Sequence, residues 1–210
     1  NLIDRRYHGL AEDALSMTVL ATNAPILIAR AMDAHMCENS ATQANVELLK
    51  QRGFIFVGPE PGRLASGLTG LGRLSEPQKL LGHINALLGH EYGDLNGKHI
   101  VVSAGGTQEP VDPVRVLTNR SSGKMGFRIA EAARDRGADV HLISGPSSLK
   151  RPTGVTFIPV TTANEMGDAT VEACDDADIL IMAAAVSDWR PSNPSEPKFN
   201  KGTTETWHLD

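Results

Sequence analysis

The reading of the fold turns on the stretch between HIVVS (99–103) and ILIMAAAV (179–186), with GGTQEPVDPVRVLTNRSSGKMG (105–126) between them. HIVVS is a β-branched strand. Residues 124–136 carry Met125, Ile129, Ala132 and Ala133 on one face and end before Gly137, which predicts a helix. Residues 140–144 and 155–160 read as further strands. Thr162 and Glu165 have the spacing of a capping box, so a second helix opens there. ILIMAAAV is unbroken in its apolar character, as a strand buried on both faces in the middle of a parallel sheet is. Strands alternating with helices predict an α/β fold with a parallel, doubly wound sheet.

Upstream the pattern repeats in looser form. Residues 1–20 read as a helix, 24–29 (APILIA) as a short strand, and Ser40 as the cap of a helix bearing Ala41, Ala44, Leu48 and Leu49. Gly53 falls where a helix C′ glycine belongs. Residues 54–57 form a second strand, and 58–76, with five glycines and two prolines, a loop. A helix starts at Pro77. The polar stretch GHEYGDLNGK (89–98) reads as a linker, which divides the chain into domains at 1–92 and 93–210. Residues 207–210 read as a strand. The chain starts on Asn1 without a leader, directly in a helix-like run, and is expected to be a piece cut at both ends.

Composition narrows the function classes. At 210 residues there is room for one domain or two small ones. With 40% hydrophobic residues and a net charge of −5, the chain is too apolar for intrinsic disorder. It lacks the basic excess of a nucleic-acid surface. No run approaches the ~18 apolar residues of a membrane span. Cys37 and Cys174 lie far apart, which excludes a disulfide scaffold or a cysteine zinc site and favours a reducing, cytoplasmic setting.

Residues 105–122 are the richest in chemistry. They join a strand to its crossover helix, where two to six residues normally suffice, and lie at the carboxyl end of that strand, where open α/β sheets bind ligands. Gly105-Gly106-Thr107 lets backbone approach a ligand. Asn119-Arg120-Ser121-Ser122-Gly123-Lys124 brings free N–H groups, hydroxyls and a lysine to a helix N-terminus, an anion site suited to phosphates. The plainer alternative is a capped helix behind an ordinary surface loop. A P-loop is ruled out, because Thr118 and Met125 occupy its glycine and hydroxyl positions. Neither GxGxxG nor Tyr-x-x-x-Lys occurs. Asp188, at the end of the apolar strand, could hold Mg²⁺ against a triphosphate, or could be a solvated strand-ending aspartate. Lys198 and Lys201, alone, read as solvated.

GGTQEPVDPVRVLTNRSSGKMG, AAAVSDWRP (183–191) and KFNK (198–201) together resemble the ligase half of the bacterial bifunctional coenzyme A biosynthesis family (CoaBC, or Dfp), a phosphopantothenate–cysteine ligase. NLIDRRYHGLAEDALS (1–16), LATNAPILIARAM (20–32) and LASGLTGLGRL (64–74) resemble the decarboxylase half, a flavoprotein with a substrate clamp and a flap. The resemblance implies the C-terminal part of a flavodoxin-like domain followed by the N-terminal part of a Rossmann-like ligase domain. It implies CTP-dependent joining of 4′-phosphopantothenate to cysteine through an acyl-cytidylate, and FMN-dependent decarboxylation of 4′-phosphopantothenoylcysteine. Mg²⁺, small-molecule substrates and a homo-oligomeric assembly go with it, without nucleic acid or membrane.

By the same resemblance Asn119 contacts the acyl intermediate, and Ala184 and Ala185 line the substrate or base pocket. Gly105, Ser121, Gly123, Gly126, Asp188, Lys198 and Lys201 fall at nucleotide positions, with Asp188 also facing the metal. Met32 and Asp33 fall in the clamp and Ser66 in the flap. Two residues depart from the family pattern. Asp33 stands where the family has an asparagine that donates to the substrate carboxylate, and an ionised aspartate repels that group. Ser66 stands where the family has a proton-donating cysteine, and a hydroxyl is far the weaker acid. The decarboxylase is therefore expected to be slow or absent. A non-catalytic, FMN-binding oligomerisation module is one alternative for this half, and a different nucleotide-dependent α/β enzyme is another for the whole chain.

Overall fold

The structure, a computed structural model, describes residue 3 and residues 8–198. The chain divides into two compact units, residues 1–84 and 85–210.

In the first unit α1 (Ala14–Ala21) begins at Asp13, whose carboxylate accepts from Ser16 N while the Ser16 hydroxyl accepts from Asp13 N. The helix read over residues 1–20 is interrupted by a turn at residues 8–9, with Ile3 helical before it. The rest of that stretch, residues 1, 2 and 4–7, lies outside the described residues. β1 (Leu27–Ala29) leads to α2 (Ala34–Glu38) and α3 (Ser40–Gln51). Asn39, not Ser40, caps α3: its side chain accepts from Ala41 N, so Ser40 is already helical. β2 (Ile55–Val57) lies parallel to β1 in register Leu27↔Ile55. Ile3, Val46 and Leu49 form the core with Met32, Phe54 and Phe56 against them.

The supposed loop 58–76 is largely an antiparallel hairpin of β3 (Glu60–Arg63) and β4 (Thr69–Arg73). Its glycines serve close approach. A Cβ on Gly72 would lie 2.1 Å from Met32 O, and one on Gly70 2.9 Å from the Ala34 methyl. α4 (Pro77–Tyr92) follows. It absorbs the first four residues of the stretch read as a linker.

The second unit is a four-stranded, all-parallel sheet. Its strands are β5 (His99–Ala104), β8 (Asp139–Ser144), β9 (Thr156–Pro159) and β10 (Ile179–Met182), in spatial order β10-β5-β8-β9. α5 (Lys124–Asp135) and α6 (Ala163–Ala173) are its crossovers. Alternation along β5 sends Ile100, Val102 and Ala104 towards Phe127, Ala130 and Ala133 of α5. It sends Val101 to the other core, which holds Met166 and Ala173 of α6. Helices therefore cover both faces, as a doubly wound sheet requires. The capping box of α6 is formed by Thr162 and Glu165 as read from their spacing.

Two expectations need correction here. Residues 105–122 are not a continuous loop: β6 (Gln108–Asp112) and β7 (Arg115–Thr118) pair as a hairpin turned by Asp112, whose Oδ1 accepts from Val114 N and Arg115 N. And residues 179–186 are not one continuous strand. Only Ile179–Met182 enter the ladder, beside β5 and, among the described residues, at its edge, with Ile179, Leu180 and Met182 41%, 43% and 66% exposed. Among the described residues β10 has one neighbour, and the small alanines after it leave the ladder to follow Gly105. Residues 207–210 lie outside the described residues.

Candidate functional site

In the second unit the chain runs from β5 outward through β8 and β9, then returns to the other side of β5 as β10. The strand order reverses between β5 and β10, and the crevice beyond their carboxyl ends is where doubly wound sheets take ligands. Gly105, Gly106, Asn119, Gly123, Ala184 and Ala185 are brought together there.

The crevice is built on backbone contacts. Ala185 N donates to Gly105 O at 2.7 Å, and Gly106 bridges Ala185 in parallel pairing. Gly123, at φ +74°, begins α5 so close to Gly105 that a Cβ would sit 3.2 Å from its nitrogen. Gly145, after β8, has room for no side chain either, since a Cβ would meet Gly106 O at 2.2 Å. Sequence reading missed Gly145, although a glycine directly after an apolar strand is a signal for close backbone approach.

Asn119 does not cap α5. Its amide donates to Val186 O at 2.8 Å and ties the end of the hairpin to the extension of β10. The Thr107 hydroxyl accepts from Ser187 N at 2.9 Å and reinforces the same join. α5 starts with no side-chain cap, whereas α1, α3 and α6 have one. The hydroxyls of Ser121 and Ser122 accept from Gly123 N and Lys124 N. Lys124 N is thereby engaged, and of the first-turn N–H groups of this twelve-residue helix those of Met125 and Gly126 remain for an anion.

The other candidates fall as follows. Gly126 is buried in the first turn of α5, and its missing side chain faces inward: a Cβ would lie 2.6 Å from the Ala104 methyl. Ala184 packs on the core that holds Val101 and Met166. Asp188 is exposed beyond the crevice, and no group of three metal-ligating side chains occurs among the described residues. Lys198 is exposed, and Lys201 lies outside the described residues. Glu109, unremarked in the sequence, is 4% exposed and accepts from Ala163 N at the start of α6. The Asp112-Pro113 pair was the available turn signal for that hairpin.

In the first unit the segments read as clamp and flap meet. Met32 N donates to Gly72 O at 3.0 Å. The Ser66 hydroxyl donates to Asp33 Oδ2 at 2.8 Å, and His35 N donates to Asp33 Oδ1 at 3.1 Å. The Ser66 hydrogen bond, then that of His35 N–H, holds the Asp33 carboxyl below the usual carboxylate range. The two residues that depart from the clamp-and-flap pattern are in direct contact.

Comparison with known proteins bears on both units. Residues 95–210, more than half of the chain, match the family described as the DNA/pantothenate metabolism flavoprotein C-terminal domain. The chain belongs to this family. Residues 1–89 match the flavoprotein family. The coenzyme A biosynthesis bifunctional protein CoaBC of Bacillus subtilis is 44% identical over 203 residues, which are 96% of this chain and 50% of that protein. A cysteine/cysteine sulfinic acid decarboxylase from an unknown prokaryotic organism is 40% identical over 210 residues, 98% of this chain and 58% of that one. The chain spans about half the length of the CoaBC relatives it matches. A crystal structure of the C-terminal domain of CoaBC aligns with a TM-score of 0.48 at 41% identity, over 55% of this chain and 54% of that one. Among the described residues no helix is long and apolar enough to cross a membrane.

Proposed function

We propose that this chain contributes to two activities of coenzyme A biosynthesis, a CTP-dependent phosphopantothenate–cysteine ligase in the second unit and a flavin-dependent decarboxylase in the first. The observation that carries the ligase reading is the crevice between β5 and β10, where an uncapped helix N-terminus, the glycine pair and an anchored Asn119 converge. In this reading the carboxylate of 4′-phosphopantothenate attacks the α-phosphorus of CTP and releases pyrophosphate. The cysteine amine then displaces CMP. Such chemistry needs positioning and charge neutralisation more than an acid–base pair. The first turn of α5 takes a phosphate, and Asn119, held by Val186 O, faces the acyl intermediate.

Mg²⁺ fits Asp188 only as a metal carried mostly by the nucleotide, because one exposed carboxylate is all the protein side offers there. Mg²⁺ commonly keeps its waters and binds through one or two carboxylates and substrate phosphates. FMN in the first unit is compatible in charge with Arg30 at the carboxyl end of β1, whose Nη1 is buried without an acceptor. When bound, the flavin supplies reversible oxidation of the substrate thiol. The family substrate in this reading is 4′-phosphopantothenoylcysteine, an acid whose carboxylate Asp33 disfavours. A second reading, in which this unit is non-catalytic, is favoured by the Ser66–Asp33 hydrogen bond, which leaves the flap hydroxyl engaged.

The test is to supply the full-length protein with CTP, Mg²⁺, 4′-phosphopantothenate and cysteine. Pyrophosphate release is expected, and Asp188→Asn should weaken binding of the metal–nucleotide. No pyrophosphate from folded protein would overturn the ligase reading.

A further inference from the structure

Clamp and flap form one wall in the first unit. Residues 32–34 and 70–72 are in backbone contact through the Met32–Gly72 hydrogen bond and two glycines that admit no side chain. Asp33 stands in this wall, and its acceptors are only partly used. One oxygen takes the Ser66 hydroxyl and the other the His35 amide, while an ionised carboxylate has about four lone-pair positions. No resident lysine or arginine neutralises it among the described residues, and the ring of His35 beside it is exposed. The basic residue nearest in sequence, Arg30, is turned away: Nε and Nη2 donate to Gly58 O at 3.2 and 3.0 Å, and the guanidinium lies over the Phe56 ring.

In the decarboxylase-type reading this wall faces the substrate, and an unneutralised carboxylate in it selects by charge. It disfavours a ligand carboxylate and favours a donor, above all a cationic one. We propose that Asp33, steadied by Ser66, makes this clamp a recognition site for an aminothiol, a small thiol with a free ammonium group, in preference to an N-acylated thiol acid. The proposal rests on the reading of the first unit as a decarboxylase-type clamp and names its specificity-determining residue.

Three small probes separate the charges. Cysteamine carries thiol and ammonium, N-acetylcysteamine the thiol alone, and N-acetylcysteine thiol and carboxylate. Their affinities for the full-length protein can be ranked by ligand-observed NMR competition. Cysteamine should bind about three- to tenfold more tightly than N-acetylcysteamine, as one partly solvated charge-assisted contact gives. Asp33→Asn should abolish that preference and strengthen N-acetylcysteine. Asparagine caps a helix as well as aspartate does, so the variant keeps α2 and its acceptor for Ser66. Equal binding of the two amine-series probes to the parent, or a preference that survives Asp33→Asn, overturns the proposal. If N-acetylcysteine alone binds and gains on Asp33→Asn, the clamp reading stands and the aminothiol proposal falls. If no probe binds either protein, both fall.

Discussion

Replacing Gly126 with alanine sets two known effects against each other, and the structure decides the sign. In a helix interior alanine is favoured over glycine by about 1 kcal/mol. Gly126 lies in α5, so propensity alone predicts stabilisation. Its Cβ, however, would sit 2.6 Å from the Ala104 Cβ, 2.9 Å from Ser103 O and 3.1 Å from the Ala104 Cα. Two of these are backbone atoms of the sheet's β5, which cannot swing aside, so α5 must lift from the strand. Overpacking of this kind costs typically 1–3 kcal/mol, and parting a backbone contact belongs at roughly the upper end. The net expectation is destabilisation by about 1–2 kcal/mol, or a fall in melting temperature of roughly 4 °C per kcal/mol for a unit of this size. The internal control is Gly167, in the middle of α6, where a Cβ meets nothing within 4 Å. Gly167→Ala should raise stability by about 0.5–1 kcal/mol. Thermal unfolding of both variants, followed by circular dichroism, reads the difference directly. A Gly126→Ala protein as stable as the Gly167→Ala protein would refute the claim that Gly126 exists for helix–strand contact.

Asn119→Asp should lower the melting temperature slightly while cutting pyrophosphate release about 10²–10³-fold, because a positioned donor becomes an anion facing Val186 O and a phosphate; near-normal turnover would remove Asn119 from the chemistry. The Asp33–Ser66 contact should persist from roughly pH 5 to 8 and loosen only in acid. The folded-state pKa is depressed, so the stabilisation is present above the ordinary carboxylate value and is lost as pH falls through the lowered one. An NMR titration of the Asp33 carboxyl with a midpoint above the ordinary value would contradict this. The double change Asp33→Asn with Ser66→Cys should raise carbon dioxide release from 4′-phosphopantothenoylcysteine more than the sum of the single changes, as measured on full-length protein with FMN; purely additive effects would show that the pair does not act as a unit.

What could be read from the sequence was what is decided locally. The strands of the second unit announce themselves by β-branched runs, and the α6 cap by hydroxyl and carboxylate three residues apart, because each depends on neighbours in the chain. What failed depends on distant partners. The β6–β7 hairpin looks like a loop since Glu109 and Asp112 are acidic, yet both are buried. Glu109 is satisfied by an N–H 54 residues away, and Asp112 by its own turn and Arg115. ILIMAAAV has the composition of one unbroken strand, but where it leaves the ladder is set by its neighbour, since beyond Met182 it follows Gly105 through Ala185 N. Gly126 carries no mark to distinguish a glycine that admits a ligand from one that admits a strand, since both uses require only the missing side chain. The candidate site in the crevice was legible for a different reason. Its position follows from chain topology, and strand–helix alternation already implied that topology.

The two candidate sites differ in what they are made of, and that bears on how each can change. The crevice between β5 and β10 is mostly backbone: the glycine contacts at 105, 106, 123 and 145, a helix N-terminus, and main-chain carbonyls that anchor Asn119 and Ala185. Substituting a surface side chain there leaves the donors in place, and substituting a glycine disturbs the fold before it alters the chemistry. In the proposed reading the clamp and flap instead present their chemistry through two side chains, Asp33 and Ser66, on a wall whose backbone is fixed by separate contacts at Gly70 and Gly72. Either can be exchanged without breaking the wall, but not independently, because each is the other's hydrogen-bond partner. An asparagine opposite Ser66, or a cysteine opposite Asp33, would leave a weaker bond in its place, since a carboxylate is the stronger acceptor and a thiol the poorer donor. The pair therefore changes most easily together, and the departure from the family pattern at both positions is better understood as one altered recognition element than as two separate losses.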